Sequence, residues 1–141
     1  MKEYKYEDIE IGTECMFDAK LTSDKMQKFF EITGDKNPLH RDSDFAKRKG
    51  YKGQVVYGML TASLMSTVAG MYLPGKNSLI HSIEGKFVKP VYVDEDIEVI
   101  ARVSAKDPLF KVIDVKVICL NSDKEKVFKG KMKVGVLDGE P

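Results

Sequence analysis

The sequence lacks most features that mark a specialised chain. It contains no tryptophan, two cysteines and two histidines. Cys15 and Cys119 stand apart in strand-like segments, which suits a reduced, cytoplasmic protein better than a disulfide scaffold. Two isolated cysteines and two isolated histidines argue against a dedicated zinc site, and no metal is expected. There is no excess of one charge: 23 Lys and Arg balance 22 Asp and Glu, for a net charge of +1. A nucleic-acid partner, which calls for a basic excess, is therefore not expected. No run reaches the roughly 18 apolar residues of a transmembrane helix, so no membrane partner is expected. The opening MKEYKYEDIEIG has no apolar core of the signal-peptide type. Repeats, low-complexity tracts and Pro/Gly/Ser linkers are missing too, so residues 1–141 read as a single domain. The Walker loop, G-x-G-x-x-G, HExxH, CxxC and G-x-S-x-G motifs are all absent.

What remains is an ordinary globular composition, 43% hydrophobic and 32% charged over 141 residues. A chain of that size buries roughly 70% of its unfolded surface without staples. Tyr4–Gly12 reads as an entry arm and Met16–Leu21 as a short strand. Thr22-Ser23-Asp24 offers N-cap chemistry. Met26, Phe29, Phe30 and Thr33 follow at helical spacing, and Gly34 sits where a C-cap glycine belongs. Pro38 bars that helix from resuming, so Gly34–His40 is expected to be a loop. Asp42 or Ser43 can cap a further turn through Phe45–Lys49. Gly58–Leu73 carries no charge and is apolar on every side, which predicts a core helix buried nearly all round, stopped by Pro74-Gly75. The remainder alternates with period two. Ile97, Val99, Ala101 and Val103 form one face of a strand, and Phe128, Met132, Val134 and Val136 one face of another. Lys111–Leu120 lies between them, dense in Val and Ile. Short turns at Asp107-Pro108 and Asn121-Ser122-Asp123 favour antiparallel pairing. The expected class is α+β, an antiparallel sheet against a buried helix.

Two constellations could carry chemistry. Gly34-Asp35-Lys36-Asn37-Pro38-Leu39-His40 places a carboxylate and an imidazole five residues apart in a proline-braced segment. Such a pair can activate water or deliver a proton to carbon. The same residue types are ordinary turn formers, and on types alone that reading is the simpler. Val55-Val56-Tyr57-Gly58 brings a glycine to the start of the buried helix. Free N–H groups there can stabilise an oxyanion, or the glycine can merely permit a tight entry.

Together, FFEITGDKNPLHRDSDFA and VVYGMLTASLMS resemble the MaoC-like (R)-specific enoyl-CoA hydratase family. EGKFVKPVYVDEDIEV is similar to the strand-turn region of the same hot-dog-fold proteins. The resemblance runs from about Tyr6 to Val136. It implies a hot-dog fold, an antiparallel sheet wrapped around a central helix. It also implies reversible addition of water to trans-2-enoyl thioesters, giving (R)-3-hydroxyacyl products. Asp35 and His40 would activate the water, and Gly58 would offer its N–H to the thioester carbonyl. Asn37 would hold the loop, and Ser66 would support the aspartate. No cofactor is implied beyond coenzyme A as part of the substrate. An acyl-carrier-protein thioester is the other candidate substrate, and a homodimer or dimer of dimers is the implied assembly. Many members carry His where this chain has Tyr57.

Alternatives within the same fold are an acyl-CoA thioesterase and a non-catalytic acyl-CoA-binding or partner subunit. Several thioesterases carry a carboxylate at the central helix, and Gly58–Leu73 has none. A non-catalytic subunit would lack the dyad. His81 is expected to be structural or exposed. Lys47, Arg48, Lys49 and Lys52 form either a solvated face or a contact for phosphate. Met59, Met65 and Met71 either line an acyl tunnel or fill the core.

Overall fold

The computed structural model describes residues 1–139. A short turn at Tyr6–Asp8 buries Tyr6 and leads to a buried Ile9. Strand β1 (Glu14–Lys20) precedes helix α1 (Ser23–Thr33). Thr22 caps α1 by accepting the Lys25 N–H at 3.3 Å, and Gly34 ends it with φ +71°. Only glycine takes that left-handed turn without strain. Helices α2 (Pro38–Arg41) and α3 (Ser43–Arg48) follow, then α4 (Gly58–Ala62) and α5 (Leu64–Thr67). A wide π-helical turn, Val68–Tyr72, completes the central helical run. Strands β2 (Ser78–Phe87), β3 (Asp96–Asp107), β4 (Val112–Leu120) and β5 (Lys126–Val136) close the chain.

The five strands form one antiparallel sheet in the order β1-β3-β4-β5-β2. The alternation seen in the sequence sets which face is covered. Ile97, Val99, Ala101 and Val103 of β3 are buried, as are Val115, Val117 and Cys119 of β4 and Phe128, Met132 and Val134 of β5. They share one core with Met65, Val68 and Ala69 of the central helical run. The sheet wraps that run, which is the hot-dog arrangement. Gly130 permits the closest approach: a Cβ there would sit 2.8 Å from Met65 Sδ, so the missing side chain lets the helix seat on β5.

Two expectations about helices need correction. Pro38 does not hold Gly34–His40 in a loop to its end, because it opens the single-turn helix α2. The first helical position needs no N–H and welcomes the fixed proline φ. Asn37 caps this turn, its Oδ1 accepting the Leu39 N–H at 2.9 Å. The central run is also not one helix buried all round. It breaks at Ser63, whose hydroxyl donates to the Leu60 carbonyl at 2.5 Å and competes for a helix acceptor. Its outer side is open, with Met59 61% and Met71 43% exposed.

Strand β2 lies at one edge of the sheet and has a neighbour only in β5. Every residue from Leu79 to Phe87 is exposed, including Leu79, Ile80, Ile83 and Phe87. His81 stands exposed within this strand, where the β2–β5 register shifts.

Candidate functional site

The site is assembled from two short segments that flank α2 and α4. Asp35 follows the α1 cap. Its carboxylate accepts the Asn37 N–H at 2.9 Å, an Asx turn that sets its direction. Asn37 then caps α2, which carries His40 on its single turn. His40 Nδ1 lies 2.8 Å from the Val55 carbonyl oxygen. A carbonyl only accepts, so Nδ1 carries the hydrogen. In the neutral ring Nε2 is then left with a free lone pair, which is the form a general base needs. The Val55 N–H returns a hydrogen bond to the Leu39 carbonyl at 3.1 Å, so two backbone segments brace each other here.

Tyr57 joins the two halves. It is buried, its hydroxyl donates to the Asp35 carbonyl at 2.7 Å, and its ring stacks on His40 with centroids 4.4 Å apart. Phe29 of α1 backs it at 4.8 Å. The departure noted in the sequence, Tyr in place of His, thus sits at the centre of the site.

Two cavities open here and share His40, Gly58 and Phe87 in their walls. The smaller, about 220 Å³, also reaches Asp35, Tyr57 and Met59. The larger, about 260 Å³, is lined mainly by apolar side chains such as Val56, Val91 and Val127, with Thr61 among them. Gly58 opens α4, and its N–H has no partner among the described residues. A Cβ at position 58 would lie 3.1 Å from Phe87 Cε1, so only glycine leaves the phenyl ring in place. Asp35 and His40, five residues apart, therefore meet Gly58, 18 residues further on, at one small cavity.

The other residues singled out are distributed differently. Ser66 is exposed on α5, and the Asp35 carboxylate is bonded to the Asn37 N–H. Met65 is core, whereas Met59 and Met71 lie on the open side of the helix, so the three methionines do not form a tunnel. Arg48 and Lys49 lie over the Phe45 ring at 5.9 and 5.5 Å on an exposed surface. Both cysteines are free, and burial pushes the Cys15 thiol up to about 11 and the Cys119 thiol up to about 12. Neither is a nucleophile at neutral pH. Among the described residues no helix is long and apolar enough to cross a membrane.

The family description of the MaoC like domain matches residues 8–124. The chain belongs to the MaoC-like domain family. Within it, the chain is 34% identical over 103 residues to the 3-hydroxybutyryl-CoA dehydratase of Methylorubrum extorquens, covering 73% of this chain and 66% of that one. It is 32% identical over 97 residues to the (R)-specific enoyl-CoA hydratase of Aeromonas caviae, covering 69% of this chain and 72% of that one. Its fold superposes on the solved (R)-hydratase from A. caviae with a TM-score of 0.87 at 26% identity, over 91% of this chain and 97% of the other.

Proposed function

We propose that this MaoC-like protein adds water reversibly across the double bond of trans-2-enoyl thioesters, giving (R)-3-hydroxyacyl thioesters. One observation carries the reading: a carboxylate, a histidine with a free Nε2 and an unpartnered backbone N–H share one cavity. The relatives named above act on the same kind of bond. In the forward direction His40 Nε2 takes a proton as the water oxygen bonds to C3. The displaced π pair moves through C2 onto the carbonyl oxygen. Gly58 N–H faces that oxygen and holds the charge better in the transition state than in the ground state. A proton then reaches C2 from the Asp35–His40 pair, the carbonyl re-forms, and no electrons are gained or lost. The step uses no resident cofactor, and coenzyme A enters as part of the substrate. Asn37 holds Asp35 and His40 in register through its backbone and side-chain bonds.

The acyl carrier is coenzyme A or a carrier protein. Lys47, Arg48 and Lys49 close α3 beside Tyr51, which lines the larger cavity, and their charge suits a phosphate-bearing carrier. Two free thiols fit a cytoplasmic setting. We assign a second copy of the chain to the open β2 edge, in a homodimer or a dimer of dimers. The exposed apolar side chains of β2 and the open side of the central helix support it.

Purified protein should consume crotonyl-CoA, followed as loss of the conjugated-thioester absorbance. Asp35→Asn and His40→Ala should each lower turnover by about 10²- to 10⁴-fold, while circular dichroism and melting temperature stay near wild type. Unchanged turnover in both variants would falsify the dyad.

A further inference from the structure

Thr61 is 1% exposed, and its hydroxyl oxygen has no hydrogen-bond partner. It is the one side-chain atom among the described residues in that condition. A buried orphan of this kind costs stability, and a valine of the same shape would avoid the cost. Its backbone is not the cause, because the Thr61 N–H is bonded to the Tyr57 carbonyl at 3.2 Å. Thr61 is one of the residues around the larger cavity, with His40, Gly58 and several valines, and its hydroxyl oxygen is closed off from solvent. In that wall the hydroxyl is a polar group just beneath an apolar surface, and a small turn of the side chain would bring it to a polar atom of whatever enters. Its direction follows from helix geometry. Side chains lean toward the helix N-terminus, and residues three apart share a face, so Thr61 leans toward the turn that begins at Gly58.

We propose that the Thr61 hydroxyl is a second donor to the thioester carbonyl oxygen, beside the Gly58 N–H. The proposal rests on the hydratase reading and adds a catalytic residue to it. When the water oxygen bonds to C3 and the π pair reaches the carbonyl oxygen, that oxygen accepts two hydrogen bonds instead of one. Both strengthen as charge develops and relax when C2 is protonated. The orphan of the empty cavity is then satisfied only with substrate bound, which is a stability cost retained for turnover.

Three proteins test it: wild type, Thr61→Val and Thr61→Ser, each assayed for crotonyl-CoA hydration and thermal melting. Thr61→Val should lower kcat about 10- to 100-fold with KM within about twofold, as expected for a lost oxyanion donor. Its melting temperature should equal or exceed wild type, because the orphan is gone. Thr61→Ser should keep kcat within about threefold, since the hydroxyl remains. Inhibition by butyryl-CoA, a saturated thioester with the same carbonyl, should weaken by no more than about fivefold in Thr61→Val and so report an intact cavity. Wild-type kcat in Thr61→Val overturns the proposal, whether the hydroxyl bonds only a water or its own helix. Loss of both turnover and butyryl-CoA binding also overturns it, since the role is then structural. An inactive wild type overturns the hydratase reading itself.

Discussion

Tyr57 touches both residues of the proposed dyad by different means, a hydrogen bond to the Asp35 carbonyl and a ring face to His40. Tyr57→Phe keeps the ring and removes the bond. Stability should fall by about 1 kcal/mol, the net worth of one hydrogen bond, and kcat by about tenfold as Asp35 loses its tether. KM should hardly move, because the cavity walls stay in place; steady-state kinetics beside a urea melt separates the two effects. A kcat equal to wild type would show that the Asx turn alone holds the carboxylate. At this scale the sequence was informative where chemistry is written in residue type and spacing. Asp35 and His40 stand out because few other residues combine reactive chemistry with a rigid setting, and the structure brings both to one cavity. Thr61 does not, since one threonine in GMLTASLMS is indistinguishable from helix filling until its surroundings are known. The position of Tyr57 drew notice only as a departure, and its hydrogen bond spans 22 residues.

Elements were legible in proportion to how local their causes are. The α1 caps, Thr22 and Gly34, follow from neighbours in the chain, and both appear where their residue types place them. Gly34→Ala should cost about 1 kcal/mol in urea unfolding, because φ is +71° and no atom lies within 4 Å of the added Cβ. The cost is conformational, so activity per folded molecule should be kept; a loss larger than about 3 kcal/mol would point to a steric clash the open surroundings do not contain. The alternating strands β3, β4 and β5 were equally readable, since both faces of each are decided within this chain. The restart at Pro38 is hidden in the sequence because proline breaks a helix in its interior and yet is a good first residue. The break at Ser63 was missed because one hydroxyl turned back on Leu60 leaves no mark in hydropathy. Strand β2 gives no alternation at all, and its exposed leucine and isoleucines explain why: half of its surroundings belong to the proposed second copy.

For the whole molecule, the decisive question is what covers β2. Ile83 is 53% exposed in the middle of that strand, in register with Met132. Ile83→Lys should leave the fold of one chain intact and convert the proposed dimer to monomers by light scattering. Hydration should fall with it, because Phe87 lines both cavities from the same strand. A variant that stays dimeric would move the interface away from β2, and a wild type that is monomeric and fully active would remove it. The backbone brace at Val55 has a different reach. The partner that fixes the His40 ring is a main-chain carbonyl, as is the group that Tyr57 grips at Asp35. Replacing a side chain cannot delete a carbonyl. Inheritance can therefore exchange Val55 for another residue and still hand on the tautomer of the base, provided the path of the chain is preserved. Over long divergence the polypeptide trace is the more durable record of this catalyst, and the letters at its anchoring positions are free to drift.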